Sequence, residues 1–301
     1  MVLNWTLNMY GQYNAPSGMS IALGSPKGKS PQTNSHAMST HTNAMIQHIY
    51  IITGASKGMG LEMARQLMKP THQVLCISRS ASAELALAAD VAGVSLAQWC
   101  ENLADPAPVA QRLAAWLASK KQGSWASVTL INNAGTLGAM APLQSIASQT
   151  IAQAITVDLI APLQLTAAFL QTTQDWPSVQ KVLNISSGMS QRAMAGAALY
   201  GAAKAGMDQF SRCVALDEER RSAGARIVSL APGVIDTDMQ KELRNGHAVL
   251  FPDKERYIQL QATGALTSPS EAARQVLAYL HHPEFGSESV VNIVHKRDML
   301  K

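Results

Sequence analysis

The sequence predicts a single α/β domain built on a doubly wound parallel sheet of about seven strands, with helices on both faces. Three observations lead there. From Met45 onward, short strand-like runs alternate with segments of helical periodicity. A glycine-rich turn joins the first of those runs to the first helix. The composition, 47% hydrophobic with 5% aromatic and 15% charged residues, suits helices layered on a sheet. A chain of 301 residues is long enough for one large domain of this kind, and residues 45–301 show neither linker nor internal repeat.

The elements follow in order. His48 to Ile52 is a strand that ends at Thr53-Gly54. Leu61, Ala64, Leu67 and Met68 then share a helical face, and Pro70 marks the stop. Val74 to Ile77 and Val94 to Trp99 read as the second and third strands. Val109, Leu113, Trp116 and Leu117 line a helix. Ser127 to Ile131 and Val179 to Ile185 are the fourth and fifth strands. Tyr200 to Arg220 is helical, Arg226 to Leu230 is the sixth strand and Val290 to Val294 the seventh. Strands alternating with helices imply right-handed crossovers and a mainly parallel sheet.

Residues 1–44 have a different character. They are rich in Ser, Asn, Gly, Pro and Thr, contain no acidic residue, and have only Lys27 and Lys29 as basic side chains besides histidine. They read as a disordered extension or translated upstream sequence, with Met38 or Met45 as the natural start. A net charge of +4 without blocks of like charge gives no reason to expect nucleic acid or a membrane surface as partner. Apolar runs are interrupted before the ~18 residues that span a bilayer. Cys76, Cys100 and Cys213 are widely spaced and form no ligand pattern, which points to a reducing, cytoplasmic compartment and to cysteines as small core residues. No histidine forms a spaced ligand pair with an acid, and His281-His282 before Pro283 reads as a helix end, so no metal is expected.

Thr53 to Gly60 reads TGASKGMG, spaced G-x3-G-x-G. Glycines let a backbone approach a pyrophosphate, and a helix N-terminus offers free N–H groups and the positive end of its dipole. On its own the turn is equally compatible with an ordinary loop. Tyr200 and Lys204 lie four apart, on one face of a helix. A nearby ammonium favours a phenolate and lowers a tyrosine pKa. The alternative for this pair is two surface residues of an amphipathic helix.

Further motifs follow: Asn132-Asn133-Ala134-Gly135 after the fourth strand, Asn184-Ile185-Ser186-Ser187 after the fifth, Tyr200-Gly201-Ala202-Ala203-Lys204 on the next helix, and Pro232-Gly233 after the sixth strand. With the glycine spacing and this order, the chain resembles the short-chain dehydrogenases/reductases over about residues 46–295. The resemblance implies a Rossmann-type fold and a nicotinamide cofactor. It makes Tyr200 the general acid in carbonyl reduction. Lys204 lowers its pKa and binds the nicotinamide ribose, and Ser187, thirteen residues before Tyr200, orients the carbonyl. It places Gly54, Ser56, Lys57, Gly58, Met59, Gly60, Asn133, Ala134, Gly135, Pro232, Gly233, Ile235 and Thr237 at the cofactor, with Asn102-Leu103 beside adenine. Asp158 stands where the family has a catalytic Asn, whose main-chain carbonyl helps hold a water that links the active-site Lys to solvent. A carboxylate there can pair with Lys204 and weaken its effect on Tyr200. The second strand ends Ile77-Ser78-Arg79-Ser80, without an acid. Arg79 there and Lys57 in the turn match the family's basic pattern for NADPH over NADH. Family members are usually homodimers or homotetramers.

Ala231 to Gln240 (APGVIDTDMQ) and the C-terminal layout look closest to sepiapterin reductases and bacterial benzil reductases, which act on vicinal dicarbonyls. Asn292 stands where an Asp anchors the pterin in the former, which argues against a pterin. Residues 239–265 are expected to cover a small carbonyl substrate. Met239, Leu243, Val249, Leu250 and Phe251 read equally as an apolar pocket wall or as helix core. The expected activity is NADPH-dependent reduction of a small ketone or 1,2-diketone. Pteridine or 3-oxoacyl reduction is an alternative on the same scaffold, and a weakly catalytic dinucleotide-binding regulator a second.

Overall fold

The computed structural model describes residues 47–121 and 123–300. The expectations for residues 1–44 lie outside the described residues. The elements run β1 (Gln47–Thr53), α1 (Gly58–Gln66), β2 (His72–Ser78), α2 (Ala83–Ala92), β3 (Ser95–Cys100), α3 (Pro106–Ala118), β4 (Trp125–Asn132), α4 (Ser148–Ile155), α5 (Ala161–Thr173), β5 (Val179–Ile185), α6 (Ala198–Glu219), β6 (Arg226–Ala231), α7 (Asp238–Asn245), α8 (Lys254–Ala262), α9 (Pro269–His281) and β7 (Val290–Asn292). The sheet has 7 strands in the order β3-β2-β1-β4-β5-β6-β7, and every pairing is parallel. The chain winds outward from β1 to β3, then returns to β4 beside β1. The C-terminal ends of β1 and β4 therefore diverge into a crevice, where ligands of such sheets bind.

Alternate residues of each strand feed opposite cores, as the two-residue period of a strand requires. Tyr50, Ile52, Val74, Cys76, Leu183, Val228 and Leu230 pack with residues of α1 and α9 on one face. Ile49, Ile51, Leu75, Ile77, Val128, Leu130 and Val182 pack with those of α3 and α5 on the other. Ends are set locally. Ser82 caps α2 by accepting from Leu85 N, and Gly93 closes it in the left-handed conformation. Ser268 caps α9, with Pro269 at its first turn.

Several details differ from the sequence reading. The helix α1 stops at Gln66, so Met68 lies beyond it. The last strand stops at Asn292, because the Asn292 Oδ1 accepts from Val294 N at 3.1 Å and turns the chain into a 3-10 segment. Cys76 is buried, but Cys100 and Cys213 are exposed. Cys100 ends an edge strand. Cys213 lies off the face of α6 that buries Met207 and Ser211. The helical run Ser148–Thr173 is long and apolar enough by length and composition to cross a membrane. It sends Ala161, Leu165 and Phe169 into the core under the sheet.

A histidine cluster at the N-terminal edge of the sheet makes stability pH-dependent. His48 Nδ1 lies 2.8 Å from Ser127 Oγ, and Tyr50 OH lies 2.9 Å from His281 Nε2. His72 Nδ1 donates to Leu67 O at 2.8 Å. Burial, then Lys181, Lys69 and the neighbouring rings, pushes His281 down to about 4. Burial also lowers His48, helped by Lys181. It lowers His72, helped by His48 and Lys69. The folded rings are thus neutral where unfolded histidines, with their ordinary pKa of about 6.5, take up protons. Stability is expected to fall as pH drops from about 6.5 toward 4. Thermal midpoints across that window check this, and His281→Gln should flatten the slope. An unchanged slope would show that this ring does not contribute.

Candidate active site

The crevice is built from strand ends that are tied to one another. Thr53, at the end of β1, accepts through its hydroxyl from Asn133 N at 2.9 Å and Ala134 N at 3.0 Å. Asn133 Nδ2 donates back to Thr53 O at 3.0 Å and Gly54 O at 3.2 Å. Behind them, Asn132 Nδ2 donates to Asn184 Oδ1 at 2.8 Å and Thr166 Oγ1 at 3.1 Å, and Asn184 Nδ2 donates to Ser211 Oγ at 2.9 Å. This buried network fixes the ends of β4 and β5 and joins them to α5 and α6. Directional bonds of this kind specify geometry where apolar packing would allow sliding, although the buried Asn132 Oδ1 has no partner among the described residues.

The glycine-rich turn sits at the head of α1. Gly54 has φ +70°, and a Cβ there would lie 2.8 Å from Ala134 Cα; a Cβ on Gly60 would lie 2.2 Å from Gly54 O. No side chain fits either position, so the turn presents bare backbone. Lys57 caps α1 without a side-chain cap bond, and the first turn carries no acid. Its N–H groups and dipole end face the crevice uncompensated, which fits a pyrophosphate. Ser56 and Gly58 are half-buried, whereas Met59 is buried and joins the core, leaving only its main chain for a ligand. Leu103 likewise packs into the opposite core, while Asn102 is exposed and accepts from Ala104 N at 3.1 Å. Arg79 is exposed at the end of β2. Lys57 Nζ lies 3.0 Å from Asp238 Oδ2, and Asp238 also pairs with Lys241 at 3.2 Å. Hydrogen bonds from the two ammoniums hold the Asp238 carboxyl below the usual carboxylate range.

Pro232 is buried, and Gly233 turns at φ +87° after β6. Ile235 forms a parallel bridge with Thr267. Thr237 starts α7, and its Cγ2 would lie 3.5 Å from a Cβ on Gly58. The head of α7 therefore stands directly against the glycine-rich turn.

Tyr200 and Lys204 lie one turn apart on α6, and both are buried. Lys204 Nζ donates to Ile185 O at 3.1 Å, lies 5.5 Å from the centre of the Tyr200 ring, and lies 3.6 Å from Asp158 Oδ2. Ser187, half-buried at the end of β5, accepts from Met189 N at 3.2 Å. Asp158 is 1% exposed and accepts at Oδ1 from Thr136 N at 2.7 Å. It lies in a π-helical turn, Thr156–Ile160, between α4 and α5. Such widened turns recur at functional sites. Pro162, four residues on, has no N–H to donate to the Asp158 carbonyl.

These groups set one another's protonation. Burial raises Tyr200 above its ordinary value. The Lys204 ammonium pulls it back, Asp158 pushes it up, and a hydrogen bond with the Ser187 hydroxyl lowers it. Burial also raises Asp158, against the pull of Lys204 and the Thr136 N–H.

Around Tyr200 lies an apolar wall made by Leu137, Leu243, Phe251 and Tyr257, with Met140, Met189, Met194, Met239 and Leu260 packed against it. Of the five residues proposed from sequence as wall or core, Met239, Leu243 and Phe251 lie here. Val249 and Leu250 are exposed instead, at 78% and 37%. Asn292 spends its carbonyl oxygen on Val294 N. Sequence reasoning missed Thr53, Thr136, Tyr257 and the other three methionines, Met140, Met189 and Met194. Thr53 alone carried a signal, since it opens the TGASKGMG turn; the rest lie in stretches with no motif. Among the described residues, no group of three or more His, Cys, Asp or Glu gathers to hold a metal.

Comparison with known proteins agrees with this geometry. The family model described as short chain dehydrogenase matches residues 48–248. Benzil reductase ((S)-benzoin forming) of Bacillus cereus is 33% identical over 243 residues, covering 81% of this chain and 98% of that protein. Sepiapterin reductase of Meriones unguiculatus is 31% identical over 255 residues, covering 81% and 95%. The crystal structure of a short-chain dehydrogenase/reductase from Burkholderia vietnamiensis is 32% identical with a TM-score of 0.55, covering 82% of this chain and 99% of that one. With matched motifs, strand order and relatives all in agreement, the chain belongs to the short-chain dehydrogenase family of oxidoreductases.

Proposed function

We propose that the protein is an NADPH-dependent carbonyl reductase for a small ketone or 1,2-diketone, with Tyr200 as general acid. The observation that carries this reading is Tyr200 itself. It is a buried phenol, flanked by the Ser187 hydroxyl and the Lys204 ammonium, at the head of an apolar, methionine-rich wall. The similarity to benzil reductases supports the same substrate class.

The turn from Gly54 to Gly60 would hold a dinucleotide's pyrophosphate, with Asn133, Ala134, Gly135, Ile235 and Thr237 around the rest. Arg79 and Lys57 favour a 2′-phosphate. When bound, the cofactor supplies the hydride. The chain's own groups manage the proton and the developing negative charge. With its pKa raised, Tyr200 is protonated near neutrality, as a proton donor must be. As charge develops on the carbonyl oxygen, Ser187 donates a hydrogen bond to it and Tyr200 delivers its proton. The C=O thus becomes CH–OH, and the phenolate left behind is stabilised by Lys204. Asp158 would take the relay position: Pro162 offers its main-chain carbonyl no N–H, and a water held on that oxygen would link Lys204 to solvent. We further infer a cytoplasmic homodimer or homotetramer, a compartment consistent with three unpaired cysteines.

A panel of ketones and 1,2-diketones with NADPH and NADH tests this reading. Steady oxidation of NADPH by a 1,2-diketone is expected. No turnover of any carbonyl would leave a dinucleotide-binding protein without this activity.

The contact of Asp158 with Lys204 adds a pH prediction. Asp158→Asn keeps an acceptor for Thr136 N but removes the charge that pushes Tyr200 up. The Tyr200 pKa should fall, so the phenolate needed for alcohol oxidation forms at lower pH. The alkaline rise of that rate should move to lower pH. Carbonyl reduction near neutrality, which needs the phenol, should change less. Paired pH–rate profiles in the two directions measure this; superimposable curves for wild type and variant would contradict it.

A further inference from the structure

The apolar wall around Tyr200 contains one other polar side chain in its buried cluster, Tyr257 of α8. It is 5% exposed, and its ring lies 5.7 Å from that of Phe251. Among the described residues its hydroxyl reaches the Met194 thioether alone, at 3.5 Å. A thioether sulfur is a weak acceptor, so the phenol holds a strong donor in reserve. The remaining members, Leu137, Leu243, Phe251, Leu260 and four methionines, offer no N–H or O–H from their side chains.

That inventory matters for the shape of the substrate. A ketone has one oxygen to satisfy, and Tyr200 and Ser187 serve it. A 1,2-diketone has a second oxygen on the adjoining carbon. Against the leucines and methionines of this wall, that oxygen would lose its water without a replacement. The wall would then favour monoketones, unless it carries a donor.

We propose that Tyr257 is a specificity-determining residue, its hydroxyl turning from Met194 to donate to the second oxygen of a vicinal dicarbonyl. This rests on the reading of Tyr200 as the acid at the same site. Both phenols belong to one buried cluster; burial raises the Tyr257 pKa, the Arg256 and Arg192 charges lower it, and Asp253 and Tyr200 push it up. The surrounding methionines suit the role, since unbranched thioethers adapt to a flat aromatic substrate and make favourable contacts with its rings. The donor is also carried by a different element. Tyr257 comes from α8 and Tyr200 from α6, so the spacing of the two donors depends on how the 239–265 segment seats.

The test compares wild type with Tyr257→Phe on benzil and on deoxybenzoin, which keeps both rings but has CH2 in place of one carbonyl. With NADPH, the variant's kcat/KM for benzil should fall about tenfold, mainly through KM, and that for deoxybenzoin less than about threefold, the worth of one hydrogen bond. An equal loss on both substrates would mean a structural role and overturn the proposal; so would no loss on either. Met194→Leu keeps the volume and removes the thioether, and should leave the preference for benzil intact or raise it. A fall to the Tyr257→Phe level would count against donation by the phenol. Calorimetric affinities of both compounds for the NADP+-loaded protein separate this proposal from the activity. If no turnover occurs but the preference for benzil is present in wild type and lost in Tyr257→Phe, the reductase reading fails and the Tyr257 proposal stands. If the variant keeps the preference, or wild type has none, the Tyr257 proposal fails whatever the turnover.

Discussion

The Tyr200→Phe enzyme is expected to lose carbonyl-reducing turnover by roughly 10²–10⁴-fold, the range a positioned general acid contributes. Phenylalanine fills the same space against Leu137, Leu243 and Phe251, so the wall should stay packed. It removes one O–H and nothing else. Affinity for NADPH, measured by the quenching of protein fluorescence, should stay within about threefold of wild type, since the loss is confined to the transition state. Residual turnover above about a tenth of wild type would show that another group delivers the proton.

The second large effect concerns the cofactor. Arg79→Asp should reverse the choice between NADPH and NADH. Arg79 is exposed at the end of β2, and no described ion pair engages it. The other cation read as a phosphate partner, Lys57, is shared with Asp238. The discrimination should therefore rest mainly on Arg79. The substitution removes a bidentate partner for the 2′-phosphate, introduces a repelling charge, and offers a carboxylate to the ribose hydroxyls that NADH presents. The ratio of kcat/KM for the two cofactors should change by about a hundredfold or more, on the order of 3 kcal/mol. Steady-state kinetics with both cofactors decide it. A variant that keeps the wild-type preference would move the phosphate site away from β2.

Much of this was legible in the sequence because strands and turns write themselves in local patterns. The run Val179 to Ile185 became β5 with the same bounds. The glycine-rich turn, Ser187, Tyr200 and Lys204 could be singled out because their motifs follow one another as in the family the chain resembles, at strand ends and on the helix after them. What stayed hidden depends on contacts distant in sequence. The pairing of Asp158 with Lys204 was expected from the family position that Asp158 occupies, but nothing near it announces the π-helical turn that carries it, or that Thr136 N will meet its carboxylate. The split of the 239–265 segment into buried Leu243 and Phe251 and exposed Val249 and Leu250 was equally unreadable. Each is apolar, and periodicity cannot say which side of a short helix or turn meets the core. Two of the three cysteines departed from expectation for a related reason. The exposure of Cys100 and Cys213 follows from position on β3 and α6, not from residue type.

The desolvated pair of Asp158 and Lys204 also has a consequence for temperature. Charged groups are hydrated at a large entropic cost to the surrounding water, so their hydration becomes less favourable as the solution warms. Keeping these two ions dry is hardest in the cold and easiest in the heat. Apolar burial gains no comparable advantage on heating. This buried pair therefore holds its arrangement with the smallest penalty at the upper end of the temperatures at which the fold survives.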